Sequence, residues 1–172
     1  LGLGATCASS SGSGDRIVFV ATVDGDQEVF LVDPETGKVT PITDNKGQDF
    51  GPRWSPDRKQ IVYLSEEPAG LQVNLVSLKD GSAARLTRNV LTDLSLRGAP
   101  DPNWSPDGKR LAFISQKDGN PEIYVMKTDG SGLIRITSNA IEDRLGDWSP
   151  DGEWLVFYSV GPGADPGLWL RN

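Results

Sequence analysis

Three copies of one tetrapeptide constrain this chain more than any other feature: Trp54-Ser55-Pro56-Asp57, Trp104-Ser105-Pro106-Asp107 and Trp148-Ser149-Pro150-Asp151. Each is followed by an apolar run, a Gly-containing turn and a second apolar run. Self-similarity at this period means that one small supersecondary unit is stacked on itself, because a single unit cannot bury its own apolar face. The Trp-to-Trp spacings are 50 and 44, whereas each complete unit runs 33 residues from its Trp to a closing Thr (Thr87, Thr137). Six extra residues therefore lie between Thr87 and Trp104. In the same register a first unit begins near Asp15, with Ser10 to Ser13 in the slots of the tetrapeptide. A fourth starts at Trp148 and stops at Asn172, roughly ten residues short of its own Thr.

Within a unit the apolar period is that of strands. Ile17-Val18-Phe19-Val20, Ile61-Val62-Tyr63-Leu64, Leu111-Ala112-Phe113-Ile114 and Leu155-Val156-Phe157-Tyr158 are short β-branched and aromatic runs bounded by turn residues. A second run follows each, and a third, shorter one closes each complete unit. With the segment entering each Trp this makes four strands per unit, A to D, and no stretch shows a 3.6-residue period. Tandem four-stranded units of this length are the signature of propeller blades. The expected fold class is all-β: a propeller segment of four-stranded antiparallel blades, about three and a half blades long, with units at 15–43, 54–87, 104–137 and 148–172.

The third unit, Trp104-Ser105-Pro106-Asp107-Gly108-Lys109-Arg110-Leu111-Ala112-Phe113 and then Asp118-Gly119-Asn120-Pro121-Glu122-Ile123-Tyr124-Val125-Met126, resembles the TolB-type, WD-like propeller repeat. The similarity runs over about residues 15–170 and departs from the pattern at Arg58, where Gly is usual, and across residues 66–71. The resemblance implies a six-bladed ring in the complete protein and a periplasmic role in binding other envelope proteins. The same repeat occurs in propeller domains beside peptidases, so it specifies fold more tightly than function.

The motif residues Trp54, Asp57, Trp104, Asp107, Trp148 and Asp151 are expected to be structural. Pro sets φ in the A–B turn, Gly permits the left-handed region, the Asp carboxylate caps nearby amides, and the Trp wedges between blades. The chain contains no His, which removes the commonest general base and metal ligand. It has no G-x-S-x-G elbow, no Gly-rich phosphate loop and no Cys cluster, and a Ser-His-Asp triad cannot be assembled from it. No catalytic residue, cofactor or metal is therefore expected. Asp24-Gly25-Asp26 is a fragment of a calcium loop without the remaining ligands.

Charge bears on the partner. The formal net charge of −7 argues against nucleic acid or an anionic membrane. In propellers the B–C and D–A connections emerge on one face. The B–C segments 23–28, 66–72, 116–122 and 160–167 carry −3, −2, −1 and −1, and the D–A segments 44–53, 88–103 and 138–147 carry 0, 0 and −2. That face thus holds −9 and the rest of the chain +2. One reading is a surface for a cationic peptide, protein or ligand; the other is the ordinary preference of turns for Asp and Glu. The lengthened 88–100 connection adds four aliphatic residues, and repeat-specific insertions often map to a binding face. Leu91 and Leu94 either contact a partner or pack under the loop. Arg97 and Arg144, seven and four residues before their Trp, are candidates for contacting a carboxylate or a peptide terminus.

Residues 1–14 read as the end of an export signal or a flexible linker. Cys7, the single cysteine, is a candidate lipid acceptor, although Thr6 precedes it where a smaller residue is expected. No transmembrane segment is visible, and the expected location is the periplasm or cell surface of a bacterium. Entry at strand B of one unit and exit after strand C of another lead us to expect part of a longer ring. The functional expectation is a non-catalytic scaffold binding a protein or peptide. Its alternatives are the propeller of a larger prolyl-oligopeptidase-like serine hydrolase and a propeller that binds a small ligand.

Overall fold

The computed structural model describes residues 16–68, 70–87, 102–161 and 168–171. Fourteen strands are present among them, in four antiparallel sheets that follow one another along the chain. Blade 1 is β1 (Ile17–Val23), β2 (Asp26–Val32) and β3 (Val39–Pro41). Blade 2 is β4 (Asp49–Trp54), β5 (Gln60–Glu67), β6 (Gly70–Ser77) and β7 (Ala83–Arg85). Blade 3 is β8 (Asn103–Trp104), β9 (Arg110–Ser115), β10 (Glu122–Lys127) and β11 (Ile134–Arg135). Blade 4 is β12 (Glu142–Trp148), β13 (Leu155–Val160) and β14 (Leu168–Arg171). Within each blade, neighbours in sequence are neighbours in the sheet. This is the all-β propeller arc anticipated from the repeats.

Burial explains why some strands are continuously apolar and others alternate. In the two inner blades strands B and C are covered on both faces, so Ile61, Val62, Tyr63 and Leu64 are all buried, as are Leu111, Ala112, Phe113 and Ile114. In blade 1 only every second residue of β1 is buried, Val18 and Val20 turning toward blade 2 while Phe19 is half-covered. In β13 likewise Leu155, Phe157 and Ser159 point inward, and Tyr158 and Val160 are exposed. Side chains of a strand alternate between faces, so one packed neighbour gives alternation and two give a continuous run.

Two apolar clusters result. One joins blades 2, 3 and 4 and is built from residues such as Val62, Val73, Leu111, Ile123, Leu145 and Leu155. The other joins blades 1 and 2 through Val18, Val20, Val29, Leu31, Ile61, Tyr63 and Val76. Each fully buried aliphatic or aromatic side chain here contributes about 1.5–3 kcal/mol, so the stacking of blade on blade, not any single sheet, holds the fold. Strand A takes part directly, β4 packing on β1 and β2, and β12 on β9 and β10.

Candidate functional site

The repeated turn is built the same way in blades 2, 3 and 4. Asp57 Oδ1 accepts from Ser55 Oγ (2.7 Å) and from Lys59 N (3.1 Å), while Ser55 Oγ accepts from Gln60 N (3.0 Å). Asp107 Oδ1 accepts from Ser105 Oγ (2.6 Å) and Lys109 N (3.1 Å), and Asp151 Oδ1 from Ser149 Oγ (2.5 Å) and Glu153 N (2.9 Å). The serine hydroxyl first, and the backbone amide next, hold all three carboxyls below the usual carboxylate range. Gly108 and Gly152 occupy the left-handed region at φ 69° and 72°, and Arg58 is forced into it at φ 60°. Successive turns lie against each other, Pro56 beside Gly108 and Pro106 beside Gly152. The indoles lock the same seam: Trp104 Nε1 donates to the carbonyl of Arg53 (3.2 Å) and Trp148 Nε1 to that of Asn103 (3.3 Å). The Arg110 guanidinium lies 4.7 Å over the Trp148 ring.

A second repeated device sits where strand D leads into the next blade. Thr43, Thr87 and Thr137 are buried, and each Oγ1 accepts from the strand C amide of Val29 (2.8 Å), Val73 (2.8 Å) or Ile123 (3.0 Å). Beside each Thr is a buried Glu28, Gln72 or Glu122. The amides of Asn45 and Asn139 donate to Glu28 Oε1 (3.1 Å) and Glu122 Oε1 (3.0 Å), and their side chains to Asp49 (2.5 Å) and Asp143 (2.7 Å). Burial works to raise the Glu122 carboxyl, but bonds from Thr137, Asn139, Arg135 and Asn120 outweigh it and leave the group lowered. Of these junction residues only the closing Thr87 and Thr137 stand out in a reading of motifs alone. The signal of the rest in the sequence is Thr-x-Asn-x-x-x-Asp, at Thr43 to Asp49, Thr87 to Asp93 and Thr137 to Asp143.

The loop face is less acidic than its formal charge. Glu28, Asp49, Glu122 and Asp143 are buried in the junctions rather than presented to solvent. Glu67 pairs with Arg85, and Asp118 lies 3.0 Å from Lys117 and 3.9 Å from Arg135. Asp24, Asp44 and Asp147 remain exposed. Arg144 lies on β12, half-buried and ion-paired with Glu142. Leu91, Leu94 and Arg97 lie outside the described residues, as does Cys7. Asp24-Gly25 forms a two-residue hairpin turn with φ 51° and 98°, the positive pair that a type I′ turn requires. Among the described residues no group of three or more His, Cys, Asp or Glu side chains converges to hold a metal, and no helix is long and apolar enough to cross a membrane.

Sheets of three and four strands stacked through Trp-Ser-Pro-Asp turns define a β-propeller arc, and its repeats are similar to those of TolB. The family described as the TolB beta propeller domain matches residues 96–166. The Tol-Pal system protein TolB of Francisella tularensis subsp. mediasiatica is 34% identical over 83 residues, which is 47% of this chain and 19% of that protein. The crystal structure of TolB from Acinetobacter baumannii superposes with a TM-score of 0.68 at 26% identity, covering 90% of this chain and 38% of that one. The Pyrococcus horikoshii acylaminoacyl peptidase shares the fold alone, at 16% identity and a TM-score of 0.67 over 98% of this chain and 31% of that one. The chain spans about a fifth of the length of the curated relative it matches.

Proposed function

We propose that this chain is a non-catalytic scaffold of the bacterial cell envelope that binds a protein or peptide. The observation that carries this reading is the likeness to TolB in both sequence and blade geometry, the relative being named as part of a Tol-Pal system. The repeat's own polar groups fit it: motif carboxylates hold turns, and buried carboxylates hold junctions. Recognition then falls to connections that differ between blades, above all the lengthened one bearing Leu91, Leu94 and Arg97, with Arg144 on the neighbouring blade. Exposed Asp24 and Asp44 favour a cationic element in the partner.

The test is capture of envelope proteins by the full chain, compared with Leu91→Asp/Leu94→Asp. The expected result is a discrete protein retained by the wild type and reduced at least about tenfold by the double variant, as for loss of a buried apolar anchor. Equal retention by both, or none by the wild type, would remove this assignment. Envelope residence is part of the same proposal, with Cys7 as lipid acceptor: labelled fatty acid should enter the wild type and not Cys7→Ser. A second reading, a propeller within a serine hydrolase, is compatible with the fold shared with a peptidase. A reading frame continuing into an α/β pattern with G-x-S-x-G would favour it.

A further inference from the structure

Glu28 and Asp49 are 5% and 0% exposed at the junction of blades 1 and 2. Glu28 accepts from Thr43 Oγ1 (2.5 Å) and Asn45 N (3.1 Å), and Asp49 Oδ2 from Asn45 Nδ2 (2.5 Å). One asparagine thus bridges both carboxyls. Asp49 Oδ1 is buried without a hydrogen-bond partner. The junction of blades 3 and 4 has the same skeleton with three additions, the first being Asn120 Nδ2, which donates to Glu122 Oε1 at 3.1 Å. Arg135 Nη2 reaches Glu122 Oε1 at 2.8 Å, and Ser159 Oγ donates to Asp143 Oδ1 at 2.5 Å. At the positions matching Arg135 and Asn120, blade 1 has Pro41 and Asp26. The groups that act most on Asp49 are Ser65, Thr43, Asn45 and Glu28, none of them a cation. Two like charges in a buried site disfavour joint ionisation.

We propose that Asp49 holds a proton in the folded chain, so that the junction of blades 1 and 2 is tightest in mild acid and loosens as that proton leaves for solvent. Protonation turns the unpartnered Oδ1 into part of a neutral carboxyl, which burial penalises less than a carboxylate, and Ser65 stands opposite Asp49 across the β4–β5 ladder. Burial first, and the Glu28 charge in addition, push the Asp49 carboxyl up against the opposing influence of Ser65, Thr43 and Asn45. Ser65 is near enough to exert that influence, although its hydroxyl does not meet hydrogen-bond geometry at Oδ1. The other titratable groups on the surrounding strands are Asp26 on β2 and Tyr63, Glu66 and Glu67 on β5. Burial, and then the charges of Asp49, Glu28 and Glu67, push Tyr63 up to about 12. β1 carries no titratable side chain, and Asp44 and Lys46 in the connection and Arg53 on β4 are exposed. A carboxyl raised in the fold binds its proton more tightly folded than unfolded, so stability falls as pH rises through that range.

The full chain and its Asp49→Asn, Glu28→Gln and Asp143→Asn variants would be followed by infrared spectroscopy and thermal unfolding between about pH 5 and about pH 8, above the ordinary carboxylate range. A carboxylic-acid carbonyl band is expected in the wild type and in Asp143→Asn, fading as pH rises, and absent from Asp49→Asn. The wild-type Tm should fall with rising pH relative to Asp49→Asn. Glu28→Gln, the residue type blade 2 uses at Gln72, should shift loss of the band to lower pH, and it decides the matter if Asp49→Asn does not fold. No such band in the wild type, its persistence in Asp49→Asn, or a band unmoved by Glu28→Gln would overturn the proposal.

Discussion

Trp148 reaches back one blade to Asn103, its indole Nε1 donating to that residue's carbonyl at 3.3 Å. The bond joins the last residue of strand A in blade 4 to strand A of blade 3, so it reports on blade stacking rather than on either sheet. Trp148→Phe keeps most of the apolar contact and loses the bond, and should lower stability by about 0.5–1.5 kcal/mol. Trp54 makes no such bond among the described residues, so Trp54→Phe should have a smaller effect. Denaturant unfolding of the two variants side by side checks the difference.

Arg58 occupies a left-handed position, φ 60°, that Gly108 and Gly152 fill in the next two blades. A side chain there costs about 1–2 kcal/mol, part of which glycine's greater unfolded-state freedom offsets. Arg58→Gly should therefore raise stability by about 0.5–1 kcal/mol. An unchanged or lowered unfolding midpoint would mean that the arginine's own contacts outweigh the strain.

Glu122 sets an acid limit. Its carboxyl is lowered in the fold, so the stability it contributes is present above the unfolded carboxylate range and is lost as pH falls through its folded value. Glu122→Gln should flatten that acid-side loss. It should also lower stability near neutral pH, because Arg135 then loses its charged acceptor. Unfolding curves from neutral to acid pH measure both effects.

Thr87 closes blade 2 by accepting the amide of Val73 at 2.8 Å in a buried site. Thr87→Val keeps the shape and strands that amide, which should cost about 1–3 kcal/mol. Faster amide exchange at Val73 would locate the damage.

The blades are legible in the sequence because their signals are local. Trp-Ser-Pro-Asp marks a turn whose donors and acceptors lie within five residues, and the runs around Ile61 and Leu111 have strand period. The junction network is harder to read. Glu28 and Asp49 are 21 residues apart, and as a string of letters they look like ordinary turn acids that add to the charge of the loop face. Only the packing of β4 on β2 shows them buried and bridged by Asn45. Arg144, four residues before Trp148, has a neighbour that spacing does not show, since β12 sets it against Glu142.

Spacing and backbone preference, both local, are enough to set the repeat, the four-strand unit and the turn that separates strands A and B. The tertiary structure decided which charges reach solvent. Desolvation and hydrogen bonding depend on which blade stacks on which, and two junctions with the same Thr-Asn-Asp skeleton differ because Arg135 enters one and Pro41 stands at the matching place in the other.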